Sequence, residues 1–149
     1  MNRLFNFRRA NFNKKTVKMD RKKILIVEDD KMLCTIFEMF ANELGHKNTR
    51  FVRTGTEAIS ACENDLPDLI LMDIHLDGEQ TGIDTAKIID SKFMVPIIYI
   101  TSDSNSETIK NAVFKNTYGF LNKPIYKKSL GIAIEFACTK FAFDNNINR

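Results

Sequence analysis

The feature of this sequence that most constrains its fold is a set of short, almost entirely apolar segments rich in β-branched residues. The clearest are residues 24–27 (ILIV), 69–72 (LILM) and 95–100 (VPIIYI). Runs of this length with no polar alternation are typical of strands covered on both faces. Strands of that kind belong to parallel sheets that lie between two layers of helices.

Helical periodicity fills the intervals between these segments. Apolar residues recur at helical spacing from 32 to 44, and Gly45 follows as a helix terminator. Three further helices begin with a serine or threonine three residues before an acid, as in a capping box: Thr54 and Glu57, Thr81 and Asp84, Ser104 and Glu107. Weaker strands are predicted at 49–53 and 118–121, and a last helix at 130–141. The prediction is an α/β fold of (βα)5 type, with a doubly wound, parallel, five-stranded sheet.

Charge divides the chain into unequal parts. Residues 1–23 carry nine lysines and arginines against one aspartate, whereas the remaining 126 residues have a net charge of −5. The overall +3 therefore comes from the N-terminal end, so the whole-chain charge is not evidence that the body binds nucleic acid. We interpret residues 1–20 as a basic, disordered arm, 21–140 as one domain and 141–149 as a C-terminal tail.

Polar and charged residues stand where four of the predicted strands end. They are Glu28, Asp29 and Asp30 after the first strand, Asp73 after the third, Thr101 after the fourth and Lys123 after the fifth. In open α/β sheets, these ends meet at one edge where ligands bind. Clustered carboxylates repel each other unless a cation neutralises them, and an open set of oxygen ligands favours Mg²⁺ with phosphate oxygens. An aspartate between such a metal and a lysine is a candidate nucleophile toward phosphorus. Asp30, directly before a helix, fits a cap better than a ligand.

Together these segments resemble the receiver domain of bacterial two-component response regulators, over about residues 22–140. The resemblance rests on ILIVEDD at 24–30, PDLILMD at 67–73, Thr101 and Lys123-Pro124. It is closest to a stand-alone, chemotaxis-regulator-like receiver. It implies a flavodoxin-like strand order, 2-1-3-4-5.

The resemblance also implies a role for each residue at the acidic edge. Asp73 is expected to be the phosphoacceptor. Asp29 would hold Mg²⁺ with support from Glu28, and Asp73 would share the metal. The backbone carbonyl of His75 is the third protein ligand in the family, while the His75 side chain is interpreted as a solvent-facing loop residue.

The remaining family positions concern the response to phosphorylation. Thr101 would turn inward to bond the phosphoryl group, and Lys123 would pair with its oxygens, aimed by a cis bond to Pro124. Phe120 is the switch aromatic and lacks the hydroxyl that a tyrosine would supply. Asp103, like His75, occupies a position that tunes phosphoryl lifetime in the family.

The predicted function is signalling: a histidine kinase or phosphotransfer protein donates a phosphoryl group to Asp73. The output would be contact with an unidentified downstream protein or transfer of the phosphoryl group in a phosphorelay. Phosphorylation could also promote a dimer through about residues 104–140. The chain is expected to catalyse only its own Mg²⁺-dependent phosphorylation and dephosphorylation. We expect no DNA-binding domain after residue 140. No apolar run approaches the ~20 residues of a membrane span, so a cytoplasmic location is expected.

Two alternatives belong to other functional classes. A Mg²⁺-dependent phosphatase with an aspartate nucleophile would need a second acid two residues later, where this chain has His75. A vestigial receiver could instead act as a binding module through its basic arm, in which Arg8, Arg9 and Lys14 flank Phe12.

Overall fold

A computed structural model describes residues 21–103 and 105–147, in which five strands alternate with five helices. The strands are β1 (Lys23–Val27), β2 (Asn48–Val52), β3 (Leu69–Asp73), β4 (Ile97–Thr101) and β5 (Thr117–Asn122). The helices are α1 (Lys31–Glu43), α2 (Gly55–Asn64), α3 (Gly82–Lys92), α4 (Ser106–Ala112) and α5 (Lys127–Asp144). The predicted arm, residues 1–20, lies outside the described residues.

The five strands form one parallel sheet in the order β2-β1-β3-β4-β5. Both the (βα)5 architecture and the predicted strand order are thereby confirmed. The chain moves outward from β1 to β2 and then crosses back to β3, so the direction of winding reverses between β1 and β3. Such a reversal leaves a crevice at the carboxyl ends of the strands.

Two apolar cores cover the two faces of the sheet. Successive strand residues point to opposite faces, so Leu25, Ile70 and Tyr99 belong to one core, and Ile24, Leu71 and Ile98 to the other. All five residues of β3 and all five of β4 are buried, whereas β2 lies at an edge and is partly exposed. This double burial is the reason for the continuous apolar runs in the sequence.

The helix starts show which acids are structural. Asp30 is the N-cap of α1, and its Oδ1 accepts hydrogen bonds from the backbone N–H groups of Met32 and Leu33, at 2.8 and 3.2 Å. The interpretation of Asp30 as a cap is thus confirmed. Thr81 and Asp84 form the predicted capping box at α3.

Three helix ends differ from the sequence prediction, and one of them is the start of α5, which begins at Lys127 rather than at residue 130. Helix α4 begins at Ser106 and is capped by Asn105, whose side chain accepts from the Glu107 N–H, whereas the sequence favoured Ser104 as the cap. Helix α5 continues to Asp144, so the first four residues of the predicted tail are helical. Asp144 accepts a hydrogen bond from the Tyr118 hydroxyl at 2.9 Å, and Phe141 is buried, which explains the extension.

Both ends of the described chain lie at the amino edge of the sheet. Lys22 donates its backbone N–H to Nδ1 of the buried His46 at 3.1 Å. Lys22 and Ile147 line the same cavity of about 280 Å³, together with Pro67 and Phe141. Within the described part of the chain, no helix combines the length and apolarity that a membrane crossing requires.

Candidate functional site

The four strand ends place the predicted residues on one edge of the sheet. Glu28 and Asp29 directly follow β1, Asp73 is the last residue of β3, Thr101 is the last of β4, and Lys123 follows β5. Because the strands are parallel and in register, these positions lie beside one another at the carboxyl edge. This edge includes the crevice between β1 and β3.

Lys123 joins two buried acids. Its Nζ lies 2.9 Å from Asp73 Oδ2 and 3.1 Å from Glu28 Oε2. The peptide bond from Lys123 to Pro124 is cis, as predicted. Glu28 and Asp73 are 1% and 2% exposed, so the carboxylates of both ionic contacts are shielded from water, whereas the Lys123 side chain is partly exposed.

Asp29 completes a group of three carboxylates. One carboxylate oxygen each from Glu28, Asp29 and Asp73 lies within 4.8 Å of the others. Asp29 Oδ2 accepts a hydrogen bond from the Asp77 N–H at 3.0 Å, and Glu28 Oε1 accepts from the Asp30 N–H at 3.1 Å. The loops after β1 and β3 therefore orient the acids that the sequence singled out.

His75 contributes its backbone N–H to this group. Its N–H donates to Asp73 Oδ1 at 3.0 Å, while its side chain is exposed, as the loop interpretation predicted. With Oδ1 bonded to His75 and Oδ2 to Lys123, the Asp73 carboxylate is held in one orientation.

The Thr101 hydroxyl is bonded to the loop that follows β4. Its hydroxyl accepts from the Asp103 N–H at 2.9 Å and donates to the Asp103 carbonyl at 3.1 Å. The residue is 1% exposed. A turn of the Thr101 hydroxyl toward Asp73 would have to break both bonds.

Phe120 packs into the core. It is half-buried and stacks on Tyr99, with ring centroids 5.2 Å apart and an interplanar angle of 24°. It also contacts the core formed by β1, β3, α2 and α3. A rotamer change at Phe120 would therefore break the stacking contact with Tyr99 and move the ring into solvent or beside Thr101.

Comparison with known proteins decides the family. A family model, the response regulator receiver domain, matches residues 24–135, which is most of the chain. The chain belongs to the response regulator receiver family. Phosphorylation and Mg²⁺ binding are general features of that family.

The receiver is similar to several curated regulators. The transcriptional regulatory protein PdtaR of Mycobacterium tuberculosis is 30% identical over 120 residues, which are 80% of this chain and 58% of PdtaR. The phyllosphere-induced regulator PhyR of Methylorubrum extorquens is 39% identical over 80 residues, 53% of this chain and 30% of PhyR. This chain thus spans about three fifths or less of the length of these relatives.

Solved structures agree on the fold. The signal receiver domain of a modulated diguanylate cyclase from Desulfovibrio desulfuricans superposes with a TM-score of 0.75 at 31% identity, covering 84% of this chain and 99% of that one. The N-terminal domain of a response regulator/sensory box/GGDEF protein from Carboxydothermus hydrogenoformans gives a TM-score of 0.73 at 29% identity, covering 85% and 100%.

Burial, hydrogen bonds and neighbouring charges shift the pKa values of three groups at the receiver's acidic edge. Burial, and then the neighbouring Asp73, raise the pKa of Glu28 to about 8. Burial opposes the charged form of Lys123, but hydrogen bonds and ionic contacts with Asp73 and Glu28 raise its pKa overall. Burial also opposes ionisation of Asp29, yet hydrogen bonds with Glu28 and Asp77 lower its pKa.

These residues fit a divalent cation. Fully ionised, Glu28, Asp29 and Asp73 carry three negative charges against one positive charge on Lys123. The donors are all carboxylate oxygens, which Mg²⁺ prefers. The group therefore has the chemistry that the family's metal requires.

Sequence reasoning missed one residue that shapes the receiver's site. A Cβ added to Gly82, the first residue of α3, would lie 1.9 Å from the carbonyl oxygen of Asp73. The Gly82 N–H also donates to the Ile74 carbonyl at 2.8 Å. The glycine that follows the capping Thr81 was the available signal, because a glycine at a helix start permits close backbone approach.

Proposed function

We propose that this chain is a signalling receiver that takes a phosphoryl group on Asp73 from a histidine kinase or phosphotransfer protein. The observation that carries the proposal is the buried Asp73 carboxylate fixed between the His75 N–H and the Lys123 ammonium, beside Glu28 and Asp29. A carboxylate in one orientation beside a cation is arranged for attack on phosphorus.

The acids would hold the metal and the lysine would receive phosphate charge. Glu28, Asp29 and Asp73 would ligate Mg²⁺, with the His75 carbonyl as the family's remaining protein ligand. When bound, Mg²⁺ supplies Lewis acidity and charge neutralisation for the phosphoryl oxygens. Lys123 already lies 2.9 Å from Asp73, so its ammonium can pair with an oxygen of the incoming group.

The transfer itself is a displacement at phosphorus. A carboxylate oxygen of Asp73 forms a bond to phosphorus as the bond between phosphorus and the donor breaks, and the donor leaves with that electron pair. Asp73 is thereby converted to an acyl phosphate. Thr101 can donate its hydroxyl to the new phosphoryl group once it leaves Asp103, and Phe120 can then move against the vacated space.

Phosphoryl uptake from acetyl phosphate tests the proposal. Wild-type protein with Mg²⁺ is expected to gain the mass of one phosphoryl group, and Asp73→Asn is expected to gain none. Asp30→Asn is the matched control, because asparagine keeps the N-cap of α1 while it removes an acid from the same triplet. Equal labelling of wild type and Asp73→Asn by mass spectrometry contradicts the proposal.

Calorimetric titration with Mg²⁺ tests the metal ligands separately. Asp29→Asn removes a charged ligand and is expected to weaken Mg²⁺ binding at least as much as the loss of an outer-shell partner does, about tenfold or more. Asp30→Asn, whose side chain caps α1, is expected to bind as wild type does. Equal loss in both variants would show that general acidity, not ligation by Asp29, sets the affinity.

Turnover separates a receiver from a phosphatase. As a receiver in the cytoplasm, the chain would catalyse only its own phosphorylation and dephosphorylation. The exposed His75 stands where the phosphatase alternative needs an acid. We expect no multiple turnover of p-nitrophenyl phosphate, and sustained turnover that Asp73→Asn abolishes would favour the phosphatase. The alternative that uses the basic arm concerns residues 1–20, outside the described part of the chain.

A further inference from the structure

Helix α5 is apolar on two opposite faces. One face packs on the sheet and is buried, with Leu130, Ile134, Ala137 and Phe141. The other face exposes large side chains: Ile132 is 62% exposed, Phe136 61% and Phe143 77%. A helix with apolar residues on both faces is typical of a helix covered on both sides, and among residues 21–103 and 105–147 nothing covers the outer face.

The exposed face has a regular seam. Ile132, Phe136, Thr139 and Phe143 are spaced by four, three and four residues, which is the spacing of the core positions of a heptad repeat. A surface groove of about 390 Å³ follows this seam and is lined by Glu135, Phe136, Thr139, Lys140 and Phe143. Lys140 also lies over the Phe143 ring, with Nζ 5.3 Å from its centroid.

Opposite charges flank the two sides of the seam. Glu135 directly precedes one core position, Phe136, and Lys140 directly follows another, Thr139. In a parallel pair of helices, residues at these two flanking positions, five apart, face each other across the interface. Each Glu135 would therefore meet Lys140 of the second copy, beside the ion pair that Lys140 makes with Asp144 of its own helix, and the two-fold axis would form this contact twice. In an antiparallel pair, the side of the seam that carries Glu135 would instead face the same side of the second copy, so the opposite charges would not meet.

We propose that the outer face of α5 is a homodimer interface in which two copies pair in parallel along the seam from Ile132 to Phe143. The occupant is a second copy of this chain, because the seam complements itself in charge and in spacing. The seam is about 16 Å long, which is short for a stable interface. The dimer is accordingly weak and depends on protein concentration. It needs no phosphoryl group, since the seam is exposed with Asp73 unmodified.

Sedimentation velocity over a concentration series measures the association. Wild type and Asp73→Asn are expected to dimerise alike, so this test of the interface does not depend on whether Asp73 accepts a phosphoryl group. Phe136→Ala is expected to raise the dimer dissociation constant about tenfold or more. Phe51→Ala is the matched control, because Phe51 is also a half-exposed phenylalanine but lies on the edge strand β2. Circular dichroism of each variant establishes that it is folded.

Charge reversal tests the pairing between copies. Glu135→Lys and Lys140→Glu each place like charges across the interface and are expected to weaken self-association. Mixing these two variants restores opposite charges at both contacts, so the mixture should form heterodimers with near wild-type affinity. Absence of recovery in the mixture overturns the parallel arrangement, even if each single variant is monomeric.

Cross-linking tests the register. Thr139→Cys is expected to form a disulfide-linked dimer on mild oxidation, because a parallel pair brings the two Thr139 positions together. Lys87→Cys on α3 is an exposed control that should not cross-link, and wild type gives the background from its three buried cysteines. A protein that stays monomeric at all concentrations overturns the proposal, as does a seam that binds only the helix of a different protein.

Discussion

At the scale of single residues, His46 shows how a buried titratable group depends on one backbone contact. Its Nδ1 accepts the Lys22 N–H, which requires that nitrogen to be unprotonated. Burial lowers the pKa of His46, and the Lys22 charge acts in the same direction, while Glu135 opposes both. The imidazole is therefore kept neutral in the folded protein.

This arrangement predicts a pH-dependent loss of stability. The folded pKa lies below the ordinary value of 6.5, so the unfolded chain binds a proton first as the pH falls. The contribution of His46 is complete above pH 6.5 and declines below it, at up to about 1.4 kcal/mol per pH unit. His46→Asn keeps an acceptor near Nδ1 but does not titrate. Urea unfolding between about pH 5 and 8 should give a flatter profile for this variant than for wild type. Parallel profiles contradict the prediction.

Among single residues, the sequence predicts positions at strand ends but not every side-chain contact. Asp73, Asp29 and Lys123 could be placed because strand ends and a family pattern coincide there. The bonds of Thr101 with Asp103 and the stacking of Phe120 on Tyr99 could not. They depend on side-chain rotamers, which pattern and spacing do not specify.

At the scale of elements, the start of α3 is fixed by how closely its backbone approaches β3. Gly82 leaves no room for a Cβ beside the Asp73 carbonyl. The helix consequently sits directly on the strand end that carries the proposed phosphoacceptor. Any displacement of α3 would move Asp73 or its loop.

Gly82→Ala is expected to lower the free energy of unfolding by about 2–3 kcal/mol, because rigid backbone must move to admit the methyl group. Slower phosphoryl uptake by Asp73 should accompany the loss. Gly131→Ala within α5 is the control: its Cβ would meet the flexible end of Leu44 at 2.9 Å, and helix propensity favours alanine by about 1 kcal/mol. Urea denaturation measures both. Equal effects would refute the role assigned to backbone contact.

The boundaries of an element could be predicted where a single feature of the sequence determines them. The strands were predictable because burial on both faces leaves only apolar residues at those positions. The start of α4 was not, since Ser104 and Asn105 are both good caps and the backbone decides between them. The end of α5 depends on the contact between Tyr118 and Asp144, which are 26 residues apart.

At the scale of the whole molecule, a bound cation should stabilise the fold through linkage. The acids of the site come from the ends of β1 and β3, two neighbouring strands at the centre of the sheet. In the unfolded chain they are not held together, so Mg²⁺ binds the folded state preferentially.

At Mg²⁺ concentrations about a hundredfold above its dissociation constant, the free energy of unfolding is expected to rise by about 2.7 kcal/mol. Thermal unfolding should shift upward accordingly, and chelation should reverse the shift. Asp29→Asn, with about tenfold weaker binding, is expected to gain only about half as much, about 1.4 kcal/mol, at the same concentration, while Asp30→Asn responds as wild type does. A shift of the same size with every divalent and monovalent salt would point to ionic screening instead.

The cavity that Lys22 and Ile147 share has a practical consequence for experiments on this protein. Both residues lie at the amino edge of the sheet, and the strands separate that edge from Asp73 at the other. A fluorophore, affinity tag or surface tether attached at either residue is therefore on the side facing away from the phosphoacceptor. Molecules immobilised in this way should present the acidic edge outward, accessible to a phosphodonor in solution.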